Sequence, residues 1–251
     1  TAIGTLEQKP VDQLVKRSVD AGINFIDTAN VYSAGLSEEM TGRAIRNLGL
    51  DRHSLVLATK VRGAMGSRPN QTGLSRSHIM QQVEESLRRL DTDYIEMYQI
   101  HGFDTFVPLE ETMRVLDDIV RSGKVRYIGC SNLAAWQIMK AQGYAEFRNL
   151  TKFVSLQAYY TIAGRDLERE LVPMMLDQKI GLMVWSPLAG GLLSGKYKRD
   201  GAGPEGSRRV DFDFPPVNKE RAFDILDVMH PMAEEKGISV ARIALAWLLH
   251  Q

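Results

Sequence analysis

Four side chains early in the chain are of types that together handle a carbonyl group. Asp27 closes the apolar run Phe25-Ile26, Tyr32 follows five positions later, Lys60 ends the run Leu55 to Thr59, and His101 ends Tyr94 to Ile100. A tyrosine serves as a general acid near neutral pH only if its pKa is brought down from about 10. A cation about 4 Å away favours the phenolate by up to ~4 kcal/mol at an effective dielectric of about 20, so Lys60 is the group that would tune Tyr32. Asp27 would hold Lys60 charged and oriented, and His101 would hydrogen-bond a carbonyl oxygen as charge develops on it. The set suits polarising and protonating a carbonyl while something else attacks its carbon. It requires no metal, and the His, Asp and Glu positions show no ligand spacing such as His-x-x-x-His.

These residues need elements to carry them. Strand-like runs occur at Ile23 to Asp27, Leu55 to Lys60, Tyr94 to His101, Val125 to Ser131, Phe153 to Tyr159 and Ile180 to Ser186. Amphipathic helical spacing fills the intervals: Val11 to Asp20, Ser37 to Leu48, Ser75 to Leu90, Leu109 to Ser122, Ala134 to Gln142 and Leu167 to Gln178. Two more helical segments, Lys219 to Lys236 and Val240 to His250, follow a Gly- and Pro-rich stretch from Asp200 to Pro216. Strand and helix in alternation predict a parallel sheet in an α/β fold. Each strand ends in a polar or aromatic group: Asp27, Lys60, His101, Ser131-Asn132, Gln157 to Tyr159 and Trp185-Ser186. A packed core has no use for that pattern, whereas a site on the C-terminal face of a barrel is built from it.

Bulk properties narrow the class. The 251 residues are 44% hydrophobic, enough for a sizeable core, and 31 basic residues balance 31 acidic ones, which argues against nucleic-acid or membrane-surface binding. One cysteine, Cys130, excludes an internal disulfide framework and fits a reducing compartment. With no apolar run long enough to span a bilayer and no apolar leader, the expectation is a soluble cytoplasmic protein. The methionines Met113, Met139, Met174 and Met175 have the spacing of core filling.

The attacker should be a hydride, because the later strand ends suit a nicotinamide. Ser131, Asn132 and Gln157 could hydrogen-bond a carboxamide, and Trp185 or a nearby tyrosine could stack on its ring. The segment Trp185-Ser186-Pro187-Leu188-Ala189-Gly190-Gly191-Leu192-Leu193-Ser194-Gly195-Lys196-Tyr197 offers glycines that let backbone N–H groups approach a pyrophosphate, and Lys196 to neutralise it. The same stretch nearly matches a P-loop, with Gly190, Gly195 and Lys196, but Tyr197 stands where a Ser or Thr would hold Mg²⁺.

Asp27 with Tyr32, Ala58-Thr59-Lys60 and Tyr98-Gln99-Ile100-His101 resemble the catalytic tetrad of the aldo-keto reductase superfamily. Gly123 to Asn132 and Ser186 to Tyr197 resemble its signatures too, closest to bacterial members and the potassium-channel β subunits. The resemblance implies a (β/α)8 TIM barrel and NADP(H), with NAD not excluded. It also implies Tyr32 as proton donor and direct hydride transfer to an aldehyde or ketone. It assigns Ser131, Asn132 and Gln157 to the carboxamide. Trp185, Ser186, Leu188, Gly190 and Lys196 would line the nicotinamide–pyrophosphate path, and Ser207 and Arg208 would reach the adenosine side. Against that pattern the chain is expected to be one barrel domain lacking the first strand and the last βα unit, since Thr1 to Gly4 is too short for a strand. Two other readings compete: a nucleotide-sensing regulatory subunit that keeps the tetrad, and a Schiff-base aldolase using Lys60, which needs a neutral lysine that Asp27 opposes.

Overall fold

A computed structural model describes residues 6–200 and 203–251, with the side chains of Arg208 and Asp211 outside the description. Thr1 to Gly4 likewise lies outside the described residues. The chain divides into two compact units, Thr1–Leu156 and Gln157–Gln251.

In the first unit, α1 (Gln8–Asp20), α2 (Leu36–Asn47), α3 (Arg76–Leu90), α4 (Leu109–Arg121) and α5 (Ala135–Arg148) alternate with β1 (Phe25–Asp27), β2 (Val56–Val61), β3 (Ile95–Ile100) and β4 (Val125–Ser131). The strands β1 to β4 pair in parallel, with Asp27 opposite Ala58, Lys60 opposite Gln99, and Gln99 opposite Gly129. Because side chains alternate across a strand, that register sets Asp27, Lys60, Gln99 and Ser131 on one face. Thr59 and Tyr98 fall on the other face, against the helices. Helix ends carry local signals: the Ser75 side chain accepts from His78 N at the start of α3, and Asp91 and Asn149 take left-handed φ values of 55° and 54° at the ends of α3 and α5.

Strand β5 (Phe153–Tyr159) crosses from one unit to the other, and the sheet order is β1-β2-β3-β4-β5-β6. The second unit holds α6 (Leu171–Gln178), β6 (Gly181–Trp185), α7 (Arg208–Asp211), α8 (Lys219–Lys236) and α9 (Val240–Leu249). Its core gathers Leu192, Leu193, Tyr197, Phe223, Leu226, Met229 and Val240, so the segment after β6 packs on α8 and α9.

Some elements differ from expectation. Helix α5 continues past Gln142 to Arg148, with Gly143 inside it between buried Ala141 and Ala145, and the stop comes at left-handed Asn149. The stretch expected as one helix from Leu167 is a single turn, Asp166–Glu168, followed by α6. Met113, Met174 and Met175 are buried, but Met139 is 39% exposed and fills no core.

Candidate active site

Strand ends and the loops behind them position the predicted residues of the first unit. Lys60 has no solvent-exposed side-chain area, and its Nζ donates to Asp27 Oδ2 at 2.6 Å and to the Thr28 carbonyl at 2.8 Å. A buried ammonium is tolerated only with such partners. Burial pulls the Lys60 pKa below its ordinary value, and the charge and hydrogen bond of Asp27 oppose that pull. The second oxygen of Asp27 accepts from Gln99 Nε2 at 3.1 Å, so the carboxylate is oriented from both sides.

Tyr32 opens a short turn, Tyr32–Gly35, and its ring centre lies 5.1 Å from Lys60 Nζ. His101 meets the same ring edge to face, with centroids 5.6 Å apart. Burial, helped by the nearby Lys60 and Arg62 cations, pushes the His101 pKa down to about 4. At neutral pH it is therefore an uncharged imidazole with one N–H to donate. Asn132, at a left-handed φ of 57°, donates from Nδ2 to Ser131 Oγ at 3.0 Å and to the His101 carbonyl at 3.4 Å. The first unit thus brings together Asp27, Tyr32, Lys60, His101, Ser131 and Asn132.

The loop carrying Tyr32 holds an unusual backbone. Ser33, Ala34 and Gly35 have consecutive φ values of 49°, 52° and 97°. Left-handed non-glycine residues cost on the order of 1–2 kcal/mol each, so the surroundings must hold them there. Thr28 and Ser37 share a hydroxyl hydrogen bond of 2.9 Å, and Asn30 N–H donates to the Lys60 carbonyl at 3.1 Å. On the outer face of the sheet, buried Glu38 accepts from Thr59 Oγ1 and from Arg89 Nε, both at 2.6 Å. Gly35 lies against the Arg89 stem: a Cβ there would come within 2.8 Å of Cδ.

In the second unit the predicted residues lie on β5, at the end of β6 and on the segment after it. Gln157 is buried on β5. The Trp185 ring stacks on Phe214 at 5.6 Å with 2° between planes, and tilts against Tyr159 at 5.1 Å. Ser186 Oγ accepts from Gly190 N–H at 2.8 Å, and the Leu188 carbonyl accepts from Gly191 N–H at 2.9 Å. Gly190, Gly191 and Gly195 take φ values of 65°, 95° and 79°, and their N–H groups bond within the loop. Lys196 Nζ lies 5.4 Å from the Tyr197 ring centre. Tyr197, the residue that breaks the P-loop pattern, is buried and its hydroxyl accepts from Arg209 N–H at 3.2 Å. Ser207 is buried on the same segment, and the Arg208 side chain lies outside the described ones.

Sequence reasoning overlooked several contributors. Gln99 is a lone amide in an apolar strand, a signal that was legible. Arg62 and Glu38 with Arg89 left none, because their partners are distant in the chain. Arg209, whose guanidinium donates to the carbonyls of Ala189 at 2.7 Å and Pro215 at 3.0 Å, is of the same kind. Among the described residues no group of His, Cys, Asp and Glu could hold a metal ion.

The first unit is an α/β sheet that sets an Asp–Lys pair and a histidine at strand ends, with a tyrosine on the turn behind them. The chain belongs to the aldo/keto reductase family, whose model matches residues 3–251. The family carries the (β/α)8 barrel fold, generally uses NADPH and acts on small carbonyl substrates. An aldo-keto reductase of Alternaria alternata is 39% identical over 97% of this chain and 72% of its own length. Versiconal hemiacetal acetate reductase of Aspergillus parasiticus is 36% identical over 94% of this chain and 74% of its own. A probable voltage-gated potassium channel subunit beta of Arabidopsis thaliana is 37% identical over 96% and 75%. Among the described residues no helix is long and apolar enough to cross a membrane.

Proposed function

We propose that this protein reduces an aldehyde or ketone to an alcohol with NADPH, and that Tyr32 supplies the proton. The observation that carries the reading is Lys60. It is a fully buried ammonium fixed 2.6 Å from Asp27 and set beside the Tyr32 ring, where its charge favours loss of the phenolic proton. Burial lowers the Lys60 pKa, but its two hydrogen bonds, to Asp27 and to the Thr28 carbonyl, suit an ammonium better than the free amine of a Schiff-base aldolase.

Neutral His101 donates its N–H to the carbonyl oxygen, which draws electrons from the carbonyl carbon. Tyr32 passes its proton to that oxygen as negative charge builds, and Lys60 stabilises the phenolate left behind. Solvent returns the proton. NADPH, when bound, supplies the hydride, and with it the two electrons, to the carbonyl carbon. The donor set of the first unit, a buried hydroxyl at Ser131 and the amide of Asn132, has the chemistry to hold a carboxamide. In the second unit, Gln157, Trp185, Ser186, Leu188, Gly190, Lys196, Ser207 and Arg208 are proposed to contribute the remaining contacts, Lys196 through its charge.

The test is the Tyr32→Phe variant of the full chain with 4-nitrobenzaldehyde and NADPH. Turnover falls by about 10²–10⁴-fold, the usual worth of a general acid, while nucleotide binding measured by fluorescence persists. Undiminished turnover would remove Tyr32 from the chemistry. The channel-subunit relative supports a second reading, in which the site senses nucleotide for a partner protein. Under that reading the unaltered protein binds NADPH yet reduces no simple aldehyde.

A further inference from the structure

Arg62 follows directly on β2, and its φ of 143° lies where side chains other than glycine's rarely go. Its carbonyl accepts from Gly73 N–H at 2.9 Å and from Thr72 Oγ1 at 3.2 Å. The next residue, Gly63, lies against Val31, where an added Cβ would come within 2.7 Å. The strained backbone is therefore wedged beside the loop that carries Tyr32. The side chain runs the other way. Nε donates to the Phe103 carbonyl at 3.0 Å, and the guanidinium passes over Gly102, 3.6 Å from where its Cβ would be. Arg62 thus joins the flank of Tyr32 to the strand end of His101.

Among the described residues, Nε–H is the one group of this guanidinium with a hydrogen-bond partner, and the residue is exposed. Two Nη groups are left to form the fork that matches a carboxylate. Lys60, the cation beside the Tyr32 ring, is buried and engaged by Asp27, and the one guanidinium fork of Arg62 suits a monoanion. Phe103, whose carbonyl anchors Arg62, also places an aromatic wall: its ring meets Trp136 edge to face at 6.0 Å, and Trp136 is 61% exposed. Cation and aromatic surface are fixed to one residue.

We propose that Arg62 is a specificity-determining residue that selects aromatic aldehydes bearing a carboxylate, binding the carboxylate through its Nη groups while the ring lies on Phe103 and Trp136 and the carbonyl reaches Tyr32 and His101. The inference rests on the carbonyl-reductase reading for its reacting end.

The test compares 4-carboxybenzaldehyde with its methyl ester in the full chain and in Arg62→Gln. The ratio of kcat/KM for acid over ester falls at least about 10-fold in the variant, through KM, and Arg62→Lys retains part of it. An unchanged ratio overturns the proposal, as does a rise in KM for NADPH alone, which would put Arg62 on the cofactor. Calorimetry with benzoate and benzamide needs no turnover: the unaltered protein binds benzoate more tightly, and Arg62→Gln loses the difference. If no aldehyde is reduced but this discrimination holds, the carbonyl-reductase reading fails and the anion site stands. If aldehydes are reduced without discrimination between acid and ester, the Arg62 proposal alone fails.

Discussion

At the scale of single residues, the protonation of His101 decides what the site can do. An imidazolium beside Lys60 would repel the neighbouring ammonium, and the burial that keeps His101 neutral avoids this. The same burial has a consequence for stability. The histidine binds its proton at about 4 in the folded protein and near 6.5 in the unfolded chain, so between those values the unfolded state holds more protons. Stability contributed by this group is fully present above pH 6.5 and is lost as pH falls toward about 4. Urea midpoints followed across that range fall in the unaltered protein, and fall less in His101→Asn. An equal slope in both would assign the loss to other groups. His78, buried on α3, has a lowered pKa by the same cause and adds to the slope in both proteins.

The elements around the site are held by polar contacts on both faces of the sheet. Lys60 and Gln99 point to one face and reach Asp27; their neighbours Thr59 and Tyr98 point to the other, where Glu38 and Arg89 form a buried pair. Among the described residues, Arg89 Nη2, Ser86 Oγ and the Tyr98 hydroxyl are buried there with no hydrogen-bond partner, and burial next to Glu38 keeps the Tyr98 phenol protonated. Helices α2 and α3 approach so closely that a Cβ on Gly42 would meet the Leu90 carbonyl at 2.5 Å, which leaves no slack for the pair to rearrange. Removing one partner strands a buried charge, at a cost of roughly 3–5 kcal/mol. Glu38→Leu and Arg89→Met therefore each lower the urea midpoint substantially. The double variant with Glu38→Leu recovers much of that loss, because neither charge is then left alone. Additive losses in the double-mutant cycle would show that the two side chains act separately.

For the molecule as a whole, family membership implies a nucleotide that binds the folded state alone. Such a ligand at about 100 times its Kd adds roughly 2.7 kcal/mol, which for a chain of this size raises Tm by several degrees. NADPH is expected to raise the Tm of the full chain more than NADH at equal concentration. Equal shifts would remove the preference for the 2′-phosphate. The alternation of strand and helix was legible because apolar periodicity is local, and element ends such as Val125–Ser131, Phe153–Tyr159 and Lys219–Lys236 coincide with their reading from the chain. The overrun of α5 past Gly143 was not, since a glycine's local preference for a break yields where buried Ala141 and Ala145 hold the helix on either side of it; nothing in the structure explains the split before α6.

What the amino-acid sequence determined by itself is the inventory of chemistry: a carboxylate, an ammonium and an imidazole at strand ends, a phenol on the loop after the first strand, and a glycine-rich segment with Lys196 after β6. Residue type and strand phase are properties of the local chain. Tertiary structure alone decided what surrounds them. Gln99 bonds Asp27 because β2 and β3 pair with Lys60 opposite Gln99. Glu38 meets Arg89, 51 positions away, because α2 and α3 pack side by side. Burial pushes His101 down to about 4, and Arg62 is turned over Gly102 by the Phe103 carbonyl. Hydrogen bonds between distant residues and the loss of solvent around a charge arise from the packing of several elements at once, and no single segment of sequence carries either.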